Sequence, residues 1–396
     1  MDIVCFSKDF FEASTCNHHV LQTLARQGHR VLWLNSIATR NPDVGSARDL
    51  KKIVRKLELF LQGPQRHGDN LWVFTPIVLP FPHQSWATDV NRRILQATIW
   101  ALRRRIGMRQ FQLWTFIPNL ADYVGHLGES AVVYYVTDEW SLFSYVDTER
   151  TLAAEARLCQ RADIIFAVCH ELQERKRRFN PHTFLSPHGV DHDLFARALD
   201  PSLALPPDLA SIPGPRIGFY GTLHDWIDQP ILEAIATRHP DWSLILIGPR
   251  HVDMPGLAGR DNVYFLGPKP KDELPAYCKG FEVGIIPYRD EERMKFVNPL
   301  KLREYFSAGL PVVSTSVPEV VRFGDRVAIA DTPEDFVAQI EALLERDDDA
   351  QRRARSEAMR TETWDHKVKR LVRYVGDVLA GVPPEPPPSS TPRPRA

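Results

Sequence analysis

At 396 residues the chain is too long for one ordinary α/β domain, given roughly 150 residues per domain, and two domains are the starting count. Its 43% hydrophobic and 25% charged residues are the balance of a globular protein with apolar material for two cores, which excludes general disorder. The net charge of −1 conceals a polarised chain: Arg40 to Arg109 holds 13 Lys and Arg against 5 Asp and Glu, a patch whose charge alone fits nucleic acid, anionic lipid or a phosphate-bearing substrate.

At the start, Asp2, Lys8 and Asp9 interrupt any apolar run before it reaches signal-peptide or membrane-spanning length, so a cytoplasmic location is expected. Cys5, Cys16, Cys159, Cys169 and Cys278 are scattered with no CxxC pair, and read as buried thiols of a reducing compartment. β-Branched and aromatic runs then alternate with helical stretches at 2–7, 30–35, 71–79, 111–117, 131–137, 163–169 and 183–186. Strand followed by helix, repeated, predicts a parallel sheet. A second series, at 216–220, 243–247, 262–266, 283–287, 311–315 and 327–330, predicts another. The expected fold class is α/β, with two Rossmann-like domains, 1–198 and 216–362, facing a cleft. Between them, 199–215 holds five prolines and is expected to run extended as a linker. Helices are expected at 333–346, 348–360 and 364–379, with the segment 363–380 packing back on the N-terminal domain. The Pro-rich tail, 381–396, is too poor in apolar residues to build a core.

In an open parallel sheet, ligands lie beyond the carboxyl ends of the strands, where helix N-termini present free N–H groups and a positive dipole end. Gly221 directly follows the first strand of the second series, in GFYGTLHDWID, and suits close approach of backbone to a phosphate, with Thr222 adding a hydroxyl. A tight turn without a ligand uses the same glycine. In RMKFVNPLKLREYFSAGLPVVST, Pro299 starts a helix, Lys301, Glu304 and Tyr305 lie on its first turns, and Gly309 ends it before Pro311. A carboxylate there can accept both hydroxyls of a ribose, and the lysine with the helix N-terminus can neutralise a diphosphate. An i,i+3 surface pair is the bland reading of the same two residues.

This stretch resembles the nucleotide-sugar motif of B-fold (GT-B) glycosyltransferases, bacterial polysaccharide and lipid-linked sugar transferases among them. Their Pro-x-Lys-x-x-Glu-Tyr helix is followed by Ala-Gly-x-Pro-Val-Val, and every one of those residues is present between Pro299 and Val313. His188-Gly189-Val190-Asp191, FYGTLHDWID, LILIGP, NVYFLG and LPAYCKGFEVGIIPY follow the family's order. The resemblance implies that Glu304 holds the ribose and Lys301 the diphosphate, and that Gly221 and Thr222 line the phosphate loop. It also implies that Gly248 and Pro249, with Gly267 and Pro268, lie near the nucleobase or ribose, and that Tyr288 and Asn298 belong to the donor site. The large retaining family carries a second glutamate eight residues before the ribose-binding one; Phe296 stands there, which leaves retention or inversion open. The implied reaction moves a sugar from a nucleoside diphosphate sugar to a carbohydrate acceptor, free or lipid-linked, in polysaccharide or glycoconjugate synthesis. A nucleotide-sugar epimerase of the same fold and a non-catalytic nucleotide-sugar-binding protein are the alternatives. Neither first strand leads into GxGxxG, which disfavours a dehydrogenase. No cofactor beyond the co-substrate is implied, and with no DxD signature no metal is.

An inverting transfer needs a base for the acceptor hydroxyl. Asp138, which ends AVVYYVTD, is the candidate, an aspartate at this place being the base in the sugar-polymer transferases this sequence resembles; an N-cap is its other reading. His18 and His19 open the first helix on the same rim and are candidates to face the acceptor or the donor phosphate, against a structural role, and His188 reads as structural. Finally, 86–109 has apolar residues at 90, 94, 95, 99 and 102 and basic ones at 92, 93, 103, 104 and 105. That is the profile of an interfacial helix on the inner, anionic face of the cell membrane, or of a helix packed on the sheet with a solvated basic side. No nucleic-acid motif accompanies the charge, so nucleic acid is not an expected partner.

Overall fold

In a computed structural model, the structure describes residues 1–12, 15–37, 47–81, 84–143 and 146–382. Arg40 of the basic patch, and the expected tail from 383 onward, lie outside them. The chain divides into two compact units, Met1–Pro187 together with the stretch from Val368, and His188–Lys367.

The first unit is built on β1 (Asp2–Phe6), β2 (Arg30–Leu34), β3 (Gln65–Arg66), β4 (Leu71–Phe74), β5 (Gln112–Thr115), β6 (Ala131–Val136), β7 (Ile164–Ala167) and β8 (Thr183–Leu185). Their order is β3-β4-β2-β1-β5-β6-β7-β8, and every pairing is parallel except β3 with β4. AVVYYV and IIFA are buried along their whole length, which is what continuous apolar runs require when helices cover both faces of a sheet. The second unit repeats the scheme with β9 (Arg216–Tyr220), β10 (Ser243–Ile247), β11 (Val263–Gly267), β12 (Val283–Ile286), β13 (Val312–Ser314) and β14 (Ala328–Ile329). This sheet is wholly parallel, in the order β11-β10-β9-β12-β13-β14. In each sheet the first strand lies between one neighbour that follows it directly and one reached after the order reverses, so each has a topological switch point beside β1 or β9.

Three expectations change. The segment 199–215 is not an extended linker: Pro207 opens the short helix Pro207–Ala210, and Leu209 and Ile212 are buried in the second unit's core with Ile217 and Phe281. A proline at the first helical position loses no hydrogen bond, which is why five prolines did not forbid a turn of helix. The chain instead enters the second unit at His188, and leaves it within the helix Trp364–Leu379, whose Tyr374 ring lies 5.0 Å from Phe184 in the first unit. The apolar stripe at 86–109 turns inward: in the helix Ser85–Arg105, Leu95, Ile99 and Leu102 are buried, together with Ala87 and Asn91. What faces outward is Trp86, Arg93, Trp100 and Arg104, together with Val90 of the stripe, with the Arg104 guanidinium 4.3 Å from the Trp100 ring centre. Third, the helix Ala47–Leu61 was not anticipated; its Lys56 ammonium donates to the Ser36 carbonyl (2.6 Å) and its Phe60 ring lies 5.7 Å from Phe74.

The first unit also buries charge. The Lys176 ammonium donates to Glu155 Oε2 (2.7 Å) and stands 3.5 Å from Glu139, while the Tyr134 hydroxyl donates to Glu155 Oε1 (2.6 Å). Burial alone would lower the Lys176 pKa, but the two carboxylates outweigh it and hold the pKa above its ordinary value. These groups fasten the helices Thr148–Arg161 and His170–Arg177 against β6 and fix the turn that carries Asp138.

Candidate functional site

The second unit's switch point is bounded by the exits of β9 and β12, and the helix Leu300–Ser307 sets its side chains there. Tyr305 fixes this helix: its hydroxyl accepts from the Tyr220 N–H (3.1 Å), and its ring packs against Gly284 of β12. One turn earlier, Lys301 reaches between the strand exits, its ammonium 3.9 Å from the Phe219 ring centre and 5.0 Å from that of Tyr288. Among the described residues no hydrogen bond or ion pair reaches that ammonium. Burial pushes its pKa down to about 7, against the opposing pull of Glu304.

Gly221 has φ 138°, and a Cβ there would lie 2.7 Å from the Lys301 ammonium. Its N–H is already used, donating to the Ile247 carbonyl (2.8 Å). Its contribution is therefore space for Lys301. Gly248 also has φ 138°; a Cβ there would meet the Gly221 carbonyl oxygen at 2.0 Å, and its N–H donates to the Gly267 carbonyl (2.9 Å). The exits of β9, β10 and β11 thus close on one another by backbone contact, with Thr222 half-buried at the edge.

Glu304 is not an exposed carboxylate of a surface pair: it is 7% exposed and accepts from the Tyr220 hydroxyl at 2.8 Å. Its other oxygen stands 3.4 Å from the Lys271 ammonium. Neither Tyr220 nor Lys271 is signalled by the motif; Lys271 sits in the GPKPKDE segment at the exit of β11. Asn298 is buried with its amide oxygen accepting from Arg303 Nη1 (2.7 Å), so it braces the entry to the helix. Phe296 is buried, and no carboxylate stands at its place.

In the first unit, β6 ends at Val136 and leaves Thr137 and Asp138 on the carboxyl rim of the sheet. Asp138 caps no helix: it accepts from the Thr137 hydroxyl (2.8 Å), and Asp147 caps the helix Thr148–Arg161. Surrounding protein displaces enough water to raise its pKa, while Thr137 and the nearby Lys8 pull it down. His18, a candidate to face the acceptor or the donor phosphate, has its ring held within the first unit. Its Nδ1 accepts from the Thr15 N–H (3.2 Å), capping the first helix, and its Nε2 donates to the Phe10 carbonyl (2.8 Å), so both ring nitrogens are occupied. Burial lowers its pKa as well. His19 is half-buried on the first turn of the same helix. The His188 ring lies 6.0 Å from Trp364, where the chain passes between units.

Two Rossmann-like parallel sheets in tandem, the second bearing the Lys301 and Glu304 helix at its switch point, define the GT-B class. Residues 214–346 match the family model described as Glycosyl transferases group 1. The chain is 28% identical over 290 residues, 67% of its own length and 71% of the other protein's, to TuaH of Bacillus subtilis (strain 168), whose name assigns it to teichuronic acid biosynthesis as a glycosyltransferase. Among solved structures, HepE of Anabaena in complex with UDP and glucose aligns with a TM-score of 0.62 at 15% identity, covering 96% of this chain and 99% of that one. An α,α-trehalose 6-phosphate synthase from Burkholderia multivorans aligns with the same values. The protein is a glycosyltransferase with the GT-B fold.

The Lys301 environment yields a stability test. Because the folded pKa lies below the unfolded one, the unfolded chain holds more protons between about pH 7 and 10.5, and the residue's cost to stability is complete at or below pH 7 and fades as pH rises. Lys301→Met should therefore melt higher than the parent at pH 6 without nucleotide, with the gap closing toward pH 10. A variant that melts lower at pH 6 would show that the ammonium is stabilised in place.

Proposed function

We propose that this glycosyltransferase takes a nucleoside diphosphate sugar into its second unit and transfers the sugar to a carbohydrate acceptor in polysaccharide or glycoconjugate synthesis. The carrying observation is the Lys301 ammonium, held against two aromatic faces with no hydrogen-bonded counter-ion at a switch point. A diphosphate would supply both the charge and the acceptors that this group lacks. Glu304, fixed by Tyr220, is the acceptor for the ribose hydroxyls, and Tyr288, Thr222 and the closed glycine exits bound the nucleotide. Lys301 with the helix N-terminus supplies the positive charge, so transfer needs no metal and should survive EDTA. UDP is the first nucleotide to try, since it is the one named in the HepE complex.

Titration calorimetry tests the donor reading. The parent should bind UDP with net proton uptake near pH 7.5, seen as a dependence of the heat on the buffer's ionisation enthalpy, because the diphosphate restores the charged form of Lys301. Lys301→Met and Glu304→Gln should each weaken binding tenfold or more; undiminished UDP affinity in both overturns the assignment.

Asp138 is the base that takes the acceptor proton, supported by its place on the rim, its lack of a capping role and its raised pKa. Asp138→Asn should leave UDP affinity within about threefold and lower turnover roughly a hundredfold or more, the scale of general-base loss. Equal turnover returns Asp138 to a structural role.

The finer reading adds a lipid-linked acceptor at the inner membrane face. Its support is no longer the inward stripe of 86–109, but two outward ones. Trp86, Trp100 and Arg104 face solvent on one helix; Ile53, Val54, Leu57 and Leu61, the last 74% exposed, share a face of Ala47–Leu61 beside Lys51 and Arg55. Apolar residues flanked by cations match an anionic bilayer, where each basic residue contributes on the order of 1 kcal/mol. No helix among the described residues is long and apolar enough to cross a membrane. The parent should sediment with phosphatidylglycerol vesicles at low salt, and Leu57→Ser with Leu61→Ser should release it without altering UDP affinity. No sedimentation of the parent means that the acceptor is not reached at a bilayer.

A further inference from the structure

Glu304 is held from two directions, and the second holder has no part in the donor reading given above. Its Oε2 accepts from the Tyr220 hydroxyl of β9 (2.8 Å), while its Oε1 stands 3.4 Å from the Lys271 ammonium, which arrives from the segment beyond β11. The carboxylate itself belongs to the helix Leu300–Ser307, so three separate elements meet at one group.

Lys271 is placed by its surroundings and does not drift as a surface lysine would. Pro268 and Pro270 restrict the backbone that leads to it. Between them, the Lys269 ammonium donates to Asp208 (2.5 Å) and lies 5.3 Å from the Tyr277 ring centre, which ties the segment to the helix Pro207–Ala210. Further on, the Glu273 N–H donates to the Pro270 carbonyl (3.1 Å) and the Leu274 N–H to that of Lys271 (3.3 Å), so Lys271 sits in a turn leading into the helix Leu274–Lys279. The backbone is anchored, yet the side chain stays 35% exposed. An ion pair with one partner that exposed adds little to the stability of the fold.

Its effect on Glu304 is geometric. The last torsion of a glutamate is broad, so a carboxylate pinned at one oxygen still swings about that contact. A second contact on the other oxygen removes the swing. At 3.4 Å the ammonium lies beyond the ~2.7–2.9 Å of a direct charge-assisted hydrogen bond, so it orients Oε1 and leaves room there for a closer donor. The two hydroxyls of a ribose need both carboxylate oxygens at once, in a fixed plane, whereas a sugar without its 2′-hydroxyl makes no such demand.

We infer that Lys271 is a positioning residue for the nucleotide: holding Oε1 while Tyr220 holds Oε2, it sets the Glu304 carboxylate to take both ribose hydroxyls, and so makes the site select ribonucleoside over 2′-deoxyribonucleoside diphosphates. The inference rests on the donor reading and adds to it the residue that sets ribose selectivity.

The test is calorimetry of the full chain with UDP and with 2′-deoxy-UDP, alongside thermal melts. The parent should favour UDP about tenfold or more, the scale of one hydrogen bond to a charged group. Lys271→Met should melt close to the parent, weaken UDP about tenfold and weaken 2′-deoxy-UDP less than about threefold, so that the preference collapses. In the Glu304→Gln background the same change should alter UDP affinity less than about twofold, because a residue that acts through the carboxylate has nothing left to act on. Lys271→Gln repeats the measurement if the methionine variant melts early. A folded variant that keeps the parent's preference, or binds UDP more tightly, overturns the inference. So does an equal loss of UDP affinity in both backgrounds, which would give Lys271 a contact with the nucleotide itself. A parent that binds no UDP, or loses no affinity on Glu304→Gln, overturns instead the donor reading on which the inference stands.

Discussion

A buried ammonium needs a counter-charge, and the second unit is arranged so that it does not supply a hydrogen-bonded one to Lys301. The aromatic faces of Phe219 and Tyr288 offer their quadrupoles, which is less than water would give, and the pKa falls accordingly. Much of the surrounding backbone serves that placement. Gly221 leaves the room, and Tyr305 ties the helix to β9 so that Lys301 cannot swing outward as a surface lysine would. The closed exits at Gly248 and Gly267 form the floor of the same corner. A residue that costs stability while its surroundings are shaped around it is accounted for by what it binds.

Environment also separates residues of like chemistry. Asp138 and Glu155 are carboxylates near the same end of β6, yet Glu155 is locked between Lys176 and Tyr134, whereas Asp138 accepts from the Thr137 hydroxyl alone among the described residues and keeps access to solvent. One builds the scaffold and the other has the freedom a proton acceptor needs. His18 and His19 are adjacent in sequence, and His18 has both ring nitrogens engaged while His19 is half-buried on the next position of the helix.

The strands were legible because fully buried parallel strands are continuous apolar runs, and the helix at 300–307 because Pro299, Gly309 and Pro311 punctuate it. What stayed hidden depends on partners distant in the chain. Nothing near Glu304 announces Tyr220, 84 residues away, and nothing in a Gly-Thr turn distinguishes a phosphate-facing N–H from a vacancy for a lysine side chain. The stripe at 86–109 was read as amphipathic with a bilayer or the sheet as its cover, and burial of Leu95, Ile99 and Leu102 shows that protein covers most of it, since periodicity gives a face and not what covers it. The helix Ala47–Leu61 escaped for a related reason: Ile53, Val54, Leu57 and Leu61 are exposed, so its apolar pattern does not report a covered face. The two-residue β3 is too short and polar to leave a trace.

The proposed reaction depends on two titrations that run in opposite senses. Lys301 must be protonated to meet a diphosphate, and its pKa of about 7 means that a rise in pH removes that charge in the free protein. Asp138 must be deprotonated to act as a base, and its raised pKa means that a fall in pH removes that ability. Under subsaturating donor, the rate therefore rises with pH as Asp138 ionises and falls again as Lys301 loses its proton, giving a bell whose alkaline limb belongs to binding. Saturating donor should hold Lys301 in the charged form, so that limb should move to higher pH while the acidic limb stays, because the proposed reading gives Asp138 the acceptor and not the nucleotide. Removing Lys301 should abolish the alkaline limb, and a bell that keeps the same alkaline limb at every donor concentration would assign it to some other group.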